Sequence, residues 1–119
     1  MSDEQAIKQT VVDYYESWFD GDAARMEGAL HPGLAKRTPL EAGELEEDTA
    51  ETMVRFTAEG LGKKRDLGED GIGLEIEVVE VYADIATAVA HSNIYREYLH
   101  LIRANGDWRI VNVLYDLER

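Results

Sequence analysis

The sequence predicts an α+β fold in which three N-terminal helices pack on one face of an antiparallel sheet. Three observations carry this expectation. Apolar residues recur with a helical period as far as Leu61. From Ile72 onward the period falls to 2, with Leu74, Ile76 and Val78 alternating with Glu75 and Glu77. Asn105-Gly106 then separates two apolar runs, and a type I′ hairpin turn needs that pair because both central residues take positive φ.

The elements follow in order. Ser2 with Gln5 has the form of a capping box. Ile7, Val11, Tyr14, Tyr15, Trp18 and Phe19 make one broad helical stripe behind it. Gly21 is placed to end that helix in the left-handed conformation. Asp22 caps a short second helix that turns Met26, Ala29 and Leu30 inward and stops at Pro32. Residues 33–47 read as irregular or as a short hairpin, punctuated by Pro39 and Gly43. A third helix is expected from about Thr49 to Gly60, with Met53, Val54, Thr57 and Leu61 on one side. The acidic cluster before it (Glu41, Glu44, Glu46, Glu47, Asp48 and Glu51) lacks an EF-hand pattern and reads as a solvated face at a helix N-terminus. Asp66 to Gly73 is a loop without the Gly-Lys-Ser/Thr of a phosphate cradle. Val79-Glu80-Val81-Tyr82 breaks the strand phase, which predicts a bulge near Val78–Val79. Ala83-Asp84 is a turn, and further strands are expected at about Ile85–Tyr95, Tyr98–Ala104 and Trp108–Leu117.

Composition narrows the function classes. The 119 residues fit one domain, 1–119. Without cysteine there are no disulfides, thiolate metal sites or cysteine nucleophiles. Twelve basic residues against 25 acidic ones give a formal charge of −13, which opposes nucleic acid and anionic membrane as partners. No apolar run approaches the ~18 residues of a membrane span. Met1-Ser2-Asp3-Glu4 lacks the features of a secretory signal, so a cytoplasmic location is expected.

Fixing the turns fixes the faces of the sheet. With Arg96-Glu97 and Asn105-Gly106 as two-residue turns, one face carries Val89, His91, Asn93, Tyr95, Tyr98, His100, Ile102, Val111, Val113 and Tyr115. The other carries Ala86, Ala88, Ala90, Ser92, Ile94, Leu99, Leu101, Arg103, Trp108, Ile110, Asn112 and Leu114. Both are rich in large apolar residues, and three helices cover only one. The exposed face is therefore expected to form a homodimer. Polar groups among apolar ones on the first face suit a ligand cavity beneath the helices. The expected dimer residues are then Leu99, Leu101, Trp108, Ile110 and Leu114. The alanines of the second face also permit close helix approach, which would reverse the assignment.

Tyr14-Tyr15-Glu16-Ser17-Trp18-Phe19-Asp20-Gly21-Asp22, then Leu30-His31-Pro32, then Tyr98-Leu99-His100-Leu101 and Gly106-Asp107-Trp108-Arg109-Ile110-Val111-Asn112 resemble, in order, the putative lumazine-binding branch of the NTF2-like (SnoaL-like) superfamily. The resemblance implies a cystatin-like cone, with a sheet wrapped on three helices, a pocket at the open end and a homodimer through the outer sheet face. The superfamily includes ketosteroid isomerases, scytalone dehydratases and polyketide cyclases. The isomerase tyrosine falls on Tyr14, and the second oxyanion donor falls near Tyr98. The isomerase general base falls on Thr38, a departure, because a threonine hydroxyl does not take a carbon-bound proton near pH 7.

The candidate ligand-binding residues are Tyr14, Trp18, His31, His91, Tyr98, His100 and Tyr115. Tyrosine hydroxyls can donate to a ligand oxygen in a partly dry pocket, and Trp18 can stack on a ring. The same tyrosines can equally be core residues with satisfied hydroxyls. No HxH or HExxH spacing gathers His31, His91 and His100 into a metal site, and the sequence calls for no metal and no cofactor. The leading expectation is a small-molecule-binding homodimer favouring an aromatic or polycyclic ligand. The rivals are an isomerase, dehydratase or cyclase using His31 or His100 as acid/base with tyrosine donors, and a purely structural association module.

Overall fold

The structure, a computed structural model, describes residues 1–119. Helix α1 (Asp3–Asp20) begins with the predicted capping box: the Ser2 hydroxyl accepts from the Gln5 amide, and the Gln5 side chain accepts from the Ser2 amide. It ends at Gly21 with φ of 74°, the left-handed stop its position predicts. Helix α2 (Ala23–Ala29) is capped by Asp22, and α3 (Ala50–Ala58) by Thr49.

Six strands form one mixed sheet: β1 (Leu30–Pro39), β2 (Leu45–Asp48), β3 (Glu75–Tyr82), β4 (Ile85–His91), β5 (Tyr95–Ala104) and β6 (Asp107–Leu117). Their order is β2-β1-β6-β5-β4-β3. The last four are the predicted meander, and the bulge falls between Val78 and Glu80 as expected. The first two are the unread part. Residues 33–47 form a hairpin, but β1 is long and runs parallel to β6. Helix α2 stops at Ala29, so Pro32 lies within a strand. Pro32 has no N–H for a ladder, and it sits where the β1·β6 register shifts between Leu30 and Ala35.

Two local features reset the predicted faces. Arg96-Glu97 is not a turn. The reversal lies at Ser92–Ile94, where the Ser92 hydroxyl accepts from the Ile94 and Tyr95 amides and closes a tight side-chain-stabilised turn. Leu101 opposes Ile110 as predicted, but His100 opposes Asn112, so Val111 is bulged out of the ladder. Beyond that bulge every side chain of β6 changes face relative to the expectation.

The helices consequently cover the face expected to form the dimer. Leu99, Leu101, Trp108 and Ile110 are buried beneath them with Ala86, Ala88 and Ala90, joined by Val113. Four of the five expected dimer residues are therefore core residues. Leu114 alone lies outward, half-exposed. The alanines are fully or nearly buried, and α1 packs on the sheet against β3 and β6. Ile7, Val11, Tyr14 and Tyr15 of α1, Met26 of α2 and Met53 of α3 complete the core. No helix is long and apolar enough to cross a membrane.

Candidate functional site

Three side chains meet at the inner end of the helix–sheet interface. Tyr14 comes from the buried stripe of α1. Lys36 comes from β1, where it shares the inward phase of Leu34 and pairs with Val113. Glu97 comes from β5, in phase with Tyr95, Leu99 and Leu101. The Tyr14 hydroxyl donates to Glu97 Oε2 at 3.0 Å, and Lys36 Nζ donates to the Tyr14 hydroxyl. Lys36 Nζ lies 3.4 Å from the same carboxylate oxygen. Glu97 is 1% exposed, so its charge is tolerated only because a cation and a hydroxyl meet it. Lys36 Nζ also lies 4.6 Å from the ring centre of Tyr115 and 5.0 Å from that of Tyr14. Ring faces are negative, so they favour the ammonium that Glu97 pairs.

The phenols here are neutral donors. Burial, then the charge of Glu97, pushes Tyr14 well above the ordinary tyrosine value, and the same two causes raise Tyr15. Tyr115 is pushed up to about 12 by burial and then by Glu46 and Asp48. Tyr14 is fully engaged, since its hydroxyl donates to Glu97 and accepts from Lys36. The Tyr15 hydroxyl is buried and has no hydrogen-bond partner.

Outward from this floor, a cavity of about 520 Å³ opens between the helices, the 41–48 hairpin end and the sheet. Trp18, Phe56, Tyr95 and Tyr115 supply aromatic wall, and Met53, Leu40 and Leu61 add aliphatic surface. Lys36, Thr38, Glu46, Asp48, Arg65 and Asp116 are its polar groups. Pairing of Lys36 with Asp48 and of Thr38 with Glu46 turns the β2 carboxylates to the same side as the β1 residues. Trp18 Nε1 donates to the Tyr95 hydroxyl at 3.3 Å, and the Arg65 guanidinium lies over the Tyr95 ring at 5.4 Å.

The sequence-predicted residues divide into three groups. Tyr14, Trp18 and Tyr115 line the cavity or its floor. Tyr98, His100 and His91 lie on the outer sheet face: Tyr98 is 54% exposed, His100 Nδ1 faces the Asn112 amide at 3.3 Å, and His91 Nε2 stands 3.4 Å from Glu75. His31 folds onto its own strand, where its Nδ1 accepts from the Gly33 amide at 2.9 Å. The three histidines are thus not brought together, and none lines the cavity. Lys36, Glu97, Arg65 and Tyr95 went unassigned to the site. A charged residue in strict phase with buried neighbours was the available signal, for Glu97 between Tyr95 and Leu99 and for Lys36 two residues after Leu34. The residue facing Tyr14 is Glu97, one position before the Tyr98 that ungapped counting picks out.

Comparison with known structures agrees with this architecture. An NTF2-like protein of unknown function from Silicibacter pomeroyi superposes with a TM-score of 0.80 at 20% identity, covering 99% of this chain and 100% of the other. A ketosteroid isomerase-like protein from Erwinia carotovora atroseptica gives 0.72 at 14% identity, covering 100% and 99%. A domain of unknown function with a cystatin-like fold from Nostoc punctiforme gives 0.67 at 14% identity, covering 98% and 78%. No curated protein matches the sequence. The family model described as putative lumazine-binding spans residues 2–116. With three helices on a six-stranded mixed sheet the chain has an NTF2-like fold, and by the match over nearly its whole length it belongs to the putative lumazine-binding family.

Proposed function

We propose that this protein binds an aromatic or polycyclic small molecule between its helices and the inner sheet face, and that it does so as a homodimer. The cavity carries the reading. Its volume of about 520 Å³ lies within the 300–1,000 Å³ typical of small-molecule sites, and its walls combine four aromatic side chains with aliphatic surface and charged groups. The family description points to a pterin-like bicycle, whose flat rings suit stacking against Trp18, Tyr95 and Tyr115. The dimer reading is supported by the outer face, where Ile85, Tyr98 and Leu114 stand exposed, Ile85 on a cleft of about 390 Å³ and the other two on a second of about 520 Å³. An acidic chain without a membrane-length apolar helix is consistent with a cytoplasmic protein that takes neither nucleic acid nor membrane as partner.

The test is a thermal-shift screen of lumazine, pterins, flavins, steroids and aromatic polyketides on wild type and Trp18→Ala. A ligand at 100 times its dissociation constant adds about 2.7 kcal/mol, which a melting curve resolves. Stabilisation by a bicycle that Trp18→Ala abolishes is the expected result. Stabilisation that survives Trp18→Ala, or none from any compound, overturns the reading.

An acid/base enzyme is a second reading, but it does not rest on His31 or His100, neither of which reaches the cavity. It rests on Glu46, which faces the cavity as the cross-strand neighbour of Thr38 and has a carboxylate where Thr38 has none. Loss of isotope exchange at a bound ketone's α-carbon in Glu46→Gln checks it, with binding retained.

A further inference from the structure

Beyond the aromatic cavity lies a void of about 10 Å³, lined by Tyr14, Tyr15, Trp18, Lys36, Tyr95 and Glu97. It shares Trp18, Lys36 and Tyr95 with the cavity, so it is the cavity's inner end. Its size suits one oxygen atom. Tyr15 is 2% exposed, and its hydroxyl is the one buried side-chain polar atom in the molecule without a partner. Such a group costs stability unless something occupies it, and it marks a place where a ligand would restore the missing bond. Glu97 also lines the void and acts on Tyr15 directly; its contacts with Tyr14 and Lys36 both fall on Oε2, which leaves Oε1 available to accept. Tyr14 cannot serve, because its hydroxyl is already used in both directions.

One atom that fills the void and satisfies both groups accepts from Tyr15 and donates to Glu97. A carbonyl oxygen only accepts, and an amide N–H only donates. A hydroxyl does both and carries no charge. We propose that the void is a hydroxyl subsite, with Tyr15 as donor and Glu97 as acceptor, which selects hydroxylated aromatic ligands over their unsubstituted or methylated counterparts. This rests on the cavity being a ligand site. Trp18 and Tyr95 line both spaces and are joined by a bond of 3.3 Å, so a ring stacked on them lies next to the void.

The test compares 5-hydroxyindole with 5-methylindole, which differ by a hydroxyl against a methyl of similar size, in amide NMR titrations of wild type and Tyr15→Phe. The hydroxyl compound is expected to bind wild type at least tenfold more tightly, because the methyl leaves Tyr15 and Glu97 unpaired. Tyr15→Phe is expected to erase most of that preference while melting at or above the wild-type temperature, since it removes a buried hydroxyl that has no partner. Equal binding of the two indoles overturns the subsite and leaves the cavity reading standing. No shift of cavity amides with either indole while a pterin shifts them overturns the subsite alone, and no shift with the indoles or with any compound of the thermal-shift panel overturns both. A lower melting temperature in Tyr15→Phe with the preference intact assigns the void to a structural water and overturns the subsite.

Discussion

Glu97 and Lys36 show how much one buried pair decides. Each reads as a surface residue in the sequence, because charged side chains are rarely buried without partners. What makes them legible is phase: Glu97 stands between Tyr95 and Leu99 on a strand whose inward residues are otherwise apolar. The partner of each lies about 60 residues away, and nothing local announces it. Lys36→Met leaves the carboxylate buried beside a phenol and no cation, so it should cost about 3–5 kcal/mol in urea unfolding. Adding Glu97→Gln should recover a large part of that loss, and the double-mutant cycle measures the coupling. A Lys36→Met protein as stable as wild type would show that the carboxylate is reached by water. The phenols make a second prediction. Folding holds the protons of Tyr14, Tyr15 and Tyr115 more tightly than the unfolded chain does, where tyrosine titrates near about 10. The stability this contributes is whole below that pH and is lost as pH rises through the folded values, for Tyr115 between about 10 and about 12. Tyr115→Phe should therefore flatten the alkaline fall of the urea midpoint in that window, and an unchanged slope would rule Tyr115 out as its source.

At the scale of elements, what was legible was what is locally encoded. The cap and stop of α1, the Asn105-Gly106 hairpin and the bulge after Val78 each depend on residues a few positions apart, and each stands where the sequence puts it. The β1 strand depends on pairing with β6, about 80 residues later, and Pro32 and Gly33 disguise its start. The Ser92 turn has a local cause in its hydroxyl but no strong signature, the Val111 bulge has no signature, and the bulge moves Val113 and Tyr115 to the inner face. Tyr115 consequently reached the expected cavity by a route the sequence did not show. The 58–74 connection offers a further element-scale test. Gly62 approaches α1 so closely that a Cβ there would run into the Trp18 carbonyl and come within 2.6 Å of its indole. Its φ is not in the left-handed region, so the constraint is space alone. Gly62→Ala should lower stability by about 1–3 kcal/mol and move the Trp18 indole, seen as a shifted tryptophan emission. Retained stability with unchanged emission would mean that the loop gives way without passing strain to the cavity wall.

At the scale of the whole molecule, one sheet has two apolar faces and the chain has helices enough for one. That part of the reasoning needs only composition and alternation, and it survives the exchange of the faces. The exchange changes which substitution tests it. Trp108 is buried beneath Arg103, whose guanidinium lies 5.1 Å over its ring and pairs with Asp3 and Asp84. Trp108→Glu therefore buries a charge and should unfold the protein rather than separate two copies of it. Leu114 is 50% exposed and, with Tyr98 opposite it on β5, stands in the middle of the outer face. Directly opposed large apolar side chains are the kind of cluster that anchors a twofold contact, because each residue lies near its own symmetry mate. Light scattering of wild type should give twice the chain mass of 13.4 kDa at micromolar concentration. Leu114→Glu should give the single-chain mass with its secondary structure intact, since the new charge points to solvent in the monomer and is buried only when two sheets meet. If Leu114→Glu stays dimeric, the contact lies elsewhere, and the exposed pair of Tyr82 and Ile85 at the β3–β4 turn is the next place to introduce a charge. If wild type is monomeric, the exposed face is an ordinary solvent surface and the cavity must work within a single chain, which the ligand titrations read independently.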